Sequence, residues 1–337
     1  MNADPHREAV LRGPALKSRA LAYLGEILRH LGASVVTLFA ISVIAFAGTS
    51  TSGVDLARNI LGHGATTEQL QAYADAHGLN RPVYIRYVEW LQEFARGDWG
   101  ISPATQRPVA QDVVPRFKNT LILSVVALAV SVPVAVLIGL FMALRLGAWS
   151  DVSLVVVMVI VNAMPEFVVG IGLVALVATA GGWFPTDSSA LEFGTGGEKV
   201  KAFVLPALTL SIAIIPYVAR VARASAFDAL ATPYTQAAVL RGLTRRRVIW
   251  RHVMPNASVP LVNAVAINVV YLLSGVIVVE NVFAFPGIGQ ELVQAIGLGD
   301  TSTVLAITMV LGATFIGMSF VADLLVVYLN PRLKEPA

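Results

Sequence analysis

Six stretches of the sequence are almost entirely apolar, and the charged residues lie between them. Glu166, in the third stretch, is the one charged residue inside them. The stretches span residues 31–50, 119–144, 152–180, 202–219, 257–279 and 301–322. Each one approaches or exceeds the ~20 residues that a helix needs to cross a ~30 Å hydrocarbon core. Because a backbone in lipid must satisfy its own hydrogen bonds, the pattern predicts an all-α integral membrane protein with six transmembrane helices.

The arginines predict how these helices are oriented, since segments that face the cytoplasm carry an excess of Lys and Arg. Seven arginines and one acid, Asp228, lie between the fourth and fifth stretches, whereas three acids and no basic residue lie between the fifth and sixth. The leader and the tail are also basic, so both termini are expected in the cytoplasm. The predicted division is a cytoplasmic leader (1–30), a first helix (31–50), an external loop (51–118), a helical core (119–329) and a cytoplasmic tail (330–337).

Composition supports a membrane protein and gives no sign of an enzyme. The 337 residues are 56% hydrophobic and 13% charged, with a mean hydropathy of +0.72. The chain has no cysteine, which excludes disulfides and thiolate chemistry, and its five histidines show no metal-ligand spacing. A net charge of +3 gives no indication of a nucleic-acid partner. The triplet Ala45-Phe46-Ala47 imitates a signal-peptidase site, but 31–50 is long enough to span a bilayer, so a retained first helix is predicted.

The segment 232–255, which carries most of the arginines, predicts two short helices at a sharp angle. Thr232 before Pro233 is typical of a helix start, where the threonine hydroxyl is expected to cap the helix, and Gly242 is placed to end that helix. Thr244 is expected to cap a second helix that Pro255 closes. The residues alone leave two alternatives open, an amphipathic helix on anionic lipid or a docking element for another protein.

A resemblance favours the docking element. The pattern Gln236-Ala237-Ala238-x-x-x-Gly242, nine residues, then His252-x-Met254-Pro255 resembles the EAA motif of ABC importer permeases. In that family the motif forms the coupling helices that fit a groove on the ATPase. The resemblance therefore implies an ATPase-coupling site, which comprises Gln236, Ala237, Ala238, Gly242, Arg245, Met254 and Pro255. Gln236 replaces the usual Glu, His252 an aliphatic residue and Met254 a Leu.

Other segments extend this resemblance to the permeases of dipeptide, oligopeptide and nickel importers. They are Gly78–Pro82, Gly97–Ser102, Arg107–Val109, Arg220–Ser225, Val279–Phe283, Pro286–Gly289, Asp323 and Asn330–Arg332. The long loop after the first helix is similar to that of the B-type subunit. The resemblance implies a type I ABC importer permease fold in the cytoplasmic membrane of a bacterium. Peptides are the expected substrate, with glutathione or nickel complexes as alternatives.

The same resemblance implies a multi-subunit transporter in contact with membrane lipid. Its expected partners are a second homologous permease, two ABC ATPases and an extracytoplasmic solute-binding protein. No phosphate-binding G-x-x-x-x-G-K-[ST] sequence is present, because residues 194–199 fail that spacing. ATP and Mg are therefore expected in the ATPases, with no cofactor, catalytic residue or metal in this chain. An ion-coupled secondary transporter is the distant alternative, and it would show inverted repeats, which the sequence lacks.

Polar residues inside the apolar stretches are candidates for the translocation pathway. A carboxylate at mid-bilayer usually faces a cavity or a partner, which makes Glu166 a candidate contact for a peptide amino group. A structural role, by protonation or pairing, is the alternative. Asn162 is expected one turn earlier on the same helix face. Asp323 is expected to pair with Arg220 or Arg223.

Overall fold

The fold is almost entirely helical, as predicted. A computed structural model describes residues 14–49, 57–58, 61, 64–76 and 80–329; the predicted tail and most of the predicted leader's side chains lie outside the described residues. The helices are α1 (Pro14–Thr49), α2 (Thr67–Ala76), α3 (Val83–Ala95), α4 (Val109–Leu144), α5 (Trp149–Ala163), α6 (Glu166–Leu173), α7 (Ala190–Phe193), α8 (Gly196–Ala231), α9 (Pro233–Leu240), α10 (Arg245–Val248), α11 (Met254–Val282), α12 (Ile288–Leu298) and α13 (Thr301–Leu329). Two π-helical turns, Val174–Thr179 and Ile249–Val253, extend α6 and join α10 to α11.

Membrane spans account for most of the described chain. Five of its helical segments are long and apolar enough to cross a bilayer, namely Gly32–Thr49, Val109–Leu144, Gly196–Ala231, Arg245–Val282 and Thr301–Ala322. A sixth span is formed if the bent pair Trp149–Ala163 and Glu166–Thr179 is counted as one. The all-α membrane architecture with up to six spans is therefore confirmed.

The third span is not one helix, although the apolar stretch 152–180 predicted a single transmembrane helix. Its two halves meet at 103°. Met164 is extended (φ −83°, ψ 130°) because the ring of Pro165 disfavours the helical conformation for the residue before it. Asn162 and Glu166 consequently lie on different helices, so the prediction that they share one helix face was wrong.

The helix α8 lies at the centre of the bundle, between α4 and α11. Its inner side is lined by small and branched residues, among them Leu210, Ile214, Val218, Ala219 and Ala222, all buried. Small residues let helix backbones approach closely where lipid supplies no hydrophobic drive between helices. Among the side chains that the structure describes, most of the apolar ones on the outer helices α1 and α5 are exposed, as expected for surfaces that contact lipid or another membrane protein.

Much of the predicted loop 51–118 forms helices, and a row of contacting aromatic rings, here called the aromatic ladder, packs it against the bundle. The ring of Phe46 on α1 lies 5.4 Å from those of Tyr87 and Trp90 on α3. The ladder continues through Phe94 to Trp99, with stacked rings 5.5 Å apart. Large aromatic surfaces of this kind stabilise packing strongly. The segment also contains the first ten residues of α4, which begins at Val109 rather than near 119.

The segment Gly97–Ser102 is tied to the start of α13. The hydroxyl of Ser102 donates a short hydrogen bond to Asp300, which is itself buried. The carboxylate of Asp300 also accepts from the backbone N–H of Thr303 at 3.0 Å, so it caps α13. One carboxylate therefore holds the loop and a transmembrane helix together on the side of the bundle opposite the arginine-rich segment.

A buried ion pair joins α5 to α8 on the arginine side. The guanidinium of Arg223 donates to both oxygens of Asp151, at 2.7 and 2.8 Å. Asp151, which is 1% exposed, also accepts from the backbone N–H of Gly147 at 3.0 Å. Arg220 donates to Asn162 at 3.3 Å. Both arginines thus have partners other than Asp323, whose side chain lies outside the described part of the chain.

Breaking this ion pair is expected to destabilise the protein. Asp151→Asn leaves the Arg223 guanidinium without its counter-charge, and unpairing a buried ion costs about 3 kcal/mol. Thermal unfolding in detergent measures the effect as a lower Tm. Glu89→Gln is the matched control, because Glu89 pairs with Arg81 at the surface, where the side chains are 51% and 58% exposed. An equal Tm for both variants would contradict a stabilising role of the pair.

Candidate functional site

The segment 232–255 begins with the short helix α9, as predicted. Thr232 is extended (ψ 143°) and Pro233 occupies the first helical position, where its missing N–H costs nothing. The hydroxyl of Thr232 does not cap the helix, in contrast to the prediction. It lies 2.7 Å from the carbonyl oxygen of Ala229 and 2.9 Å from the hydroxyl of Thr235, so it joins the end of α8 to the start of α9.

Gly242 ends α9 by a left-handed turn, as predicted. Its φ is +76°, a conformation that a residue with a Cβ rarely adopts. The backbone N–H of Leu243 then bonds the carbonyl of Ala238 at 3.3 Å, which satisfies one of the last carbonyls of the helix. The chain therefore reverses sharply between α9 and α10.

The second helix differs from the prediction, because Pro255 does not close it. It begins at Arg245 and passes through the π-helical turn Ile249–Val253 directly into α11. Pro255 lies in the first turn of α11, where a missing N–H is tolerated and the preceding π-helical turn already departs from α-helical bonding. Residues 245–282 therefore form one continuous helical rod that joins the 232–255 segment to the opposite side of the bundle.

The candidate residues divide into a buried and an exposed group. Ala238 is 5% exposed and packs with Val248 and Val253 against Ala143 and Ala226. It is therefore a core residue and not part of a surface that another protein can approach. Among the other candidates Met254 is half-buried, and the exposed ones are Gln236, Ala237, Gly242, Arg245 and Pro255.

The exposed side of α9 carries an apolar side chain that sequence reasoning did not single out. Leu240 is 88% exposed at the end of α9, and Tyr234 and Val239 on the same helix are also exposed. Arg241 and Arg245 border it, and Arg245 lies 3.4 Å from the carbonyl of Leu144 at the end of α4. We call Tyr234, Ala237, Val239, Leu240 and Arg241 the tip surface. An apolar centre with a cationic rim is typical of a protein-binding surface.

Gln236 has a specific contact that a glutamate cannot make. Its amide nitrogen donates to the carbonyl of Ala231, the last residue of α8, at 3.3 Å. A carboxylate has no donor for this carbonyl. The amide thus links α9 back to the transmembrane helix from which it projects.

A polar cluster on the opposite side of the bundle was missed. Glu280 was expected in an external segment, but it is fully buried in the last turn of α11. Near it Arg116 and Glu291 form an ion pair of 2.8 Å. Burial raises the pKa of Glu291, and the positive charge of Arg116 opposes the shift. The adjacent Pro286-Gly287-Ile288-Gly289 sequence is the one available signal, because glycines beside an acid indicate a close backbone approach.

Comparison with known proteins establishes the family. Residues 135–335 match the family described as binding-protein-dependent transport system inner membrane component, and residues 23–124 match its N-terminal membrane component. The first match alone covers more than half of the chain. The chain belongs to this family. It is thus a membrane-embedded permease and a transport component, in agreement with the resemblance seen in the sequence.

Several glutathione transport permeases are similar in sequence to this chain. The glutathione transport system permease protein GsiC of Escherichia coli K12 is 29% identical over 311 residues, which cover 92% of this chain and 99% of that protein. The GsiC proteins of Shigella flexneri serotype 5b and Shigella dysenteriae serotype 1 match to the same extent. A crystal structure of an amino acid ABC transporter with histidines has 19% sequence identity and a TM-score of 0.45, and the match covers 64% of this chain and 92% of that one.

The two pathway candidates of the permease are not hydrogen-bonded to each other. Glu166 is half-buried at the start of α6, and its carboxylate lies against Gly275 of α11 so closely that a Cβ there would overlap both oxygens. Asn162 is exposed at the end of α5 and accepts a hydrogen bond from Arg220. The break at Pro165 thus places the carboxyl group of Glu166 at the start of a helix within the third span.

Proposed function

We propose that this permease moves small peptides across the cytoplasmic membrane of a bacterium as one of two homologous membrane subunits. Two ABC ATPases supply the energy, and a solute-binding protein delivers the peptide from outside. The family and the names of the relatives, which are glutathione transport permeases, support a peptide substrate. Glutathione, which is itself a tripeptide, is the second candidate substrate, because the relatives are named as glutathione transport permeases. The five arginines between α8 and α11, with Arg220 and Arg223 near the end of α8, support a cytoplasmic position for the 232–255 segment and for both termini.

The exposed tip surface is the observation that carries the coupling role. An 88% exposed leucine on a helix whose opposite side is packed on the bundle has a free apolar surface to offer a partner. The matching positions of the EAA motif, from Gln236 to Gly242, lie on this same helix and its terminal turn. We infer that the tip surface enters a groove on an ATPase, with Ala238 and Gly242 shaping the helix and Arg245 at the rim.

Energy conversion then follows from the connectivity of the chain. Closure of the ATPases on ATP displaces α9, which is fixed to α8 through Thr232 and Gln236. The same displacement acts on the rod of residues 245–282 through the Gly242 turn, because α10 follows the turn after three residues. The ATPases therefore bias the permease between two arrangements of its helices, and no covalent chemistry takes place in this chain.

Replacing Leu240 by Asp is expected to separate the permease from its ATPases. The charge would have to be desolvated in an apolar groove, so at least about a tenfold loss of affinity is expected. Co-purification of the ATPases with the full complex in mild detergent measures the change. Phe193→Asp is the matched control, since Phe193 is 87% exposed on α7, on the opposite side of the bundle. ATPases retained equally by both variants would overturn the coupling role, as would uptake driven by a proton gradient without ATPases.

Glu166 is proposed to contact the amino group of the transported peptide. Glu166→Gln should then lower the uptake of peptides with a free α-amino group by about tenfold, because a charge-assisted hydrogen bond is lost. The uptake of N-acetylated peptides should change much less. Initial rates in proteoliposomes that contain the whole transporter measure both, with the exposed Glu68→Gln as control. Unchanged uptake of both peptide classes would remove Glu166 from the pathway, and an equal loss for both would make its role structural.

A further inference from the structure

The carboxylate of Glu280 joins three helices on the side opposite the 232–255 segment. One oxygen accepts a hydrogen bond of 2.5 Å from the hydroxyl of Thr120 on α4. The other accepts from the backbone N–H groups of Gly289 and Gln290, at 2.7 and 3.2 Å, in the first turn of α12. Both Glu280 and Thr120 are buried, with 0% and 1% exposure. Charged hydrogen bonds of this kind, shielded from water, are strong and sensitive to geometry.

The start of α12 is built around this carboxylate. A helix leaves its first four N–H groups without intrahelical partners. Here the hydroxyl of Thr120 accepts from Ile288 at 2.9 Å, and Glu280 accepts from the next two residues. A Cβ at Gly287 would overlap the carboxyl group of Glu280, so the backbone approaches as closely as a glycine permits.

Further polar contacts hold the start of α12 to α4. The amide of Asn119 donates to the carbonyl of Pro286 at 2.9 Å, just before α12 begins. Arg116, one turn earlier on α4, pairs with Glu291 in the first turn of α12 at 2.8 Å. The whole N-terminal turn of α12 is therefore fixed by side chains from two transmembrane helices.

The helix that carries Glu280 is the same rod that starts in the 232–255 segment. It runs from Arg245 to Val282 without a break, 38 residues, or ~57 Å at 1.5 Å per residue. Its start follows the exposed tip surface, and Glu280 lies two residues before its end. Continuous secondary elements of this kind are among the structures that carry coupling between distant sites in a protein.

The outer side of α12 is apolar and exposed. Val293, Ile296 and Leu298 are 49%, 60% and 68% exposed, whereas Ala295 on the inner side is buried. Any rotation or shift of α12 therefore re-orients an apolar surface on the side of the membrane opposite the ATPases.

We propose that Glu280 is the positioning residue through which movement of the 232–255 segment reaches α12. This inference rests on the proposed coupling function and adds the route by which ATP binding changes the opposite side of the permease. Glu280 does not touch the substrate in this account. It holds the N-terminus of α12 to the end of the rod, so that α12 follows the rod instead of remaining in place.

The test measures the movement of α12 directly, in the complete transporter reconstituted in nanodiscs. The chain has no cysteine, so Gln294→Cys places a single reactive thiol on the exposed part of α12. Its rate of reaction with a soluble maleimide is compared between the nucleotide-free and the vanadate-trapped ATP states. In the otherwise unsubstituted complex the two rates should differ by at least about fivefold, the lower range of allosteric coupling.

Glu280→Ala should abolish this difference, whereas Glu280→Gln should retain it. The glutamine oxygen can still accept from Gly289 and Gln290, and its NH2 group can face the hydroxyl of Thr120. The amount of nucleotide that vanadate traps in the ATPases, measured separately, should be the same in both variants. The proposed ATPase contacts lie on the side of the 232–255 segment, away from Glu280. A purely stabilising role of Glu280 would lower trapping and yield in Glu280→Ala but leave the rate difference intact, which would overturn the proposal.

A second pair of variants keeps the test decisive if Glu280→Ala does not assemble. Thr120→Val removes the hydroxyl that bonds Glu280, and it should reduce the rate difference as well. Thr209→Val is its matched control, since Thr209 is equally buried but its hydroxyl donates to Leu205 of its own helix. An unchanged rate difference in Thr120→Val would also overturn the proposal, as would equal rates in the unsubstituted complex. If the proposed coupling function itself is wrong, the ATPases remain bound to the Leu240→Asp variant. That result separates failure of the coupling function from failure of the role proposed for Glu280.

Discussion

The hydrocarbon environment determines this structure, because each polar group inside it needs a partner within the protein. Most charged side chains accordingly lie outside the apolar stretches, and several at the ends of these stretches join different helices through partners within the protein. Asp151 forms an ion pair with Arg223, which holds α5, the first half of the third span, to the central helix α8. Glu280 forms hydrogen bonds with Thr120 and with the first turn of α12. A carboxylate whose burial without partners would cost free energy therefore joins three helices. Apolar packing of small residues along α8 brings the helices close enough for these pairs to form.

These junctions give the permease a mechanical organisation. The arginine side holds a short helix with an exposed apolar tip, and the opposite side holds α12 with an exposed apolar flank. The rod of residues 245–282 is continuous between the two sides. The bent third span, with Glu166 at the start of its second half against Gly275 of the rod, lies beside this connection. In the proposed mechanism, the ATPase contact, the pathway candidate Glu166 and the helix α12 are connected through this one helix.

Much of this organisation is predictable from sequence, and the remainder depends on packing. Long apolar stretches and clustered arginines follow directly from the needs of a bilayer, and the turn at Gly242 follows from its position after a short helix. Pro165 marks a break, but the angle of 103° depends on how the two halves pack on α8 and α11. Pro255 does not end its helix because a π-helical turn precedes it. The burial of Glu280 was not predicted, because charge counting contains no information on burial, and only its neighbours Gly287 and Gly289 indicated a close contact.

In the proposed mechanism, movement enters this permease through the tip of the 232–255 segment. Because the chain has no cysteine, Leu240→Cys provides a single thiol at that tip. Its reaction with a soluble maleimide, measured in the active reconstituted transporter and in the isolated permease, reports whether an ATPase covers it. If an ATPase covers the tip, the thiol should react much more slowly with the maleimide in the complex than in the isolated permease, in every nucleotide state. Modification of the thiol in the isolated permease should in turn prevent ATPase binding. An active transporter in which Leu240→Cys reacts as fast as in the isolated permease would contradict this mechanism.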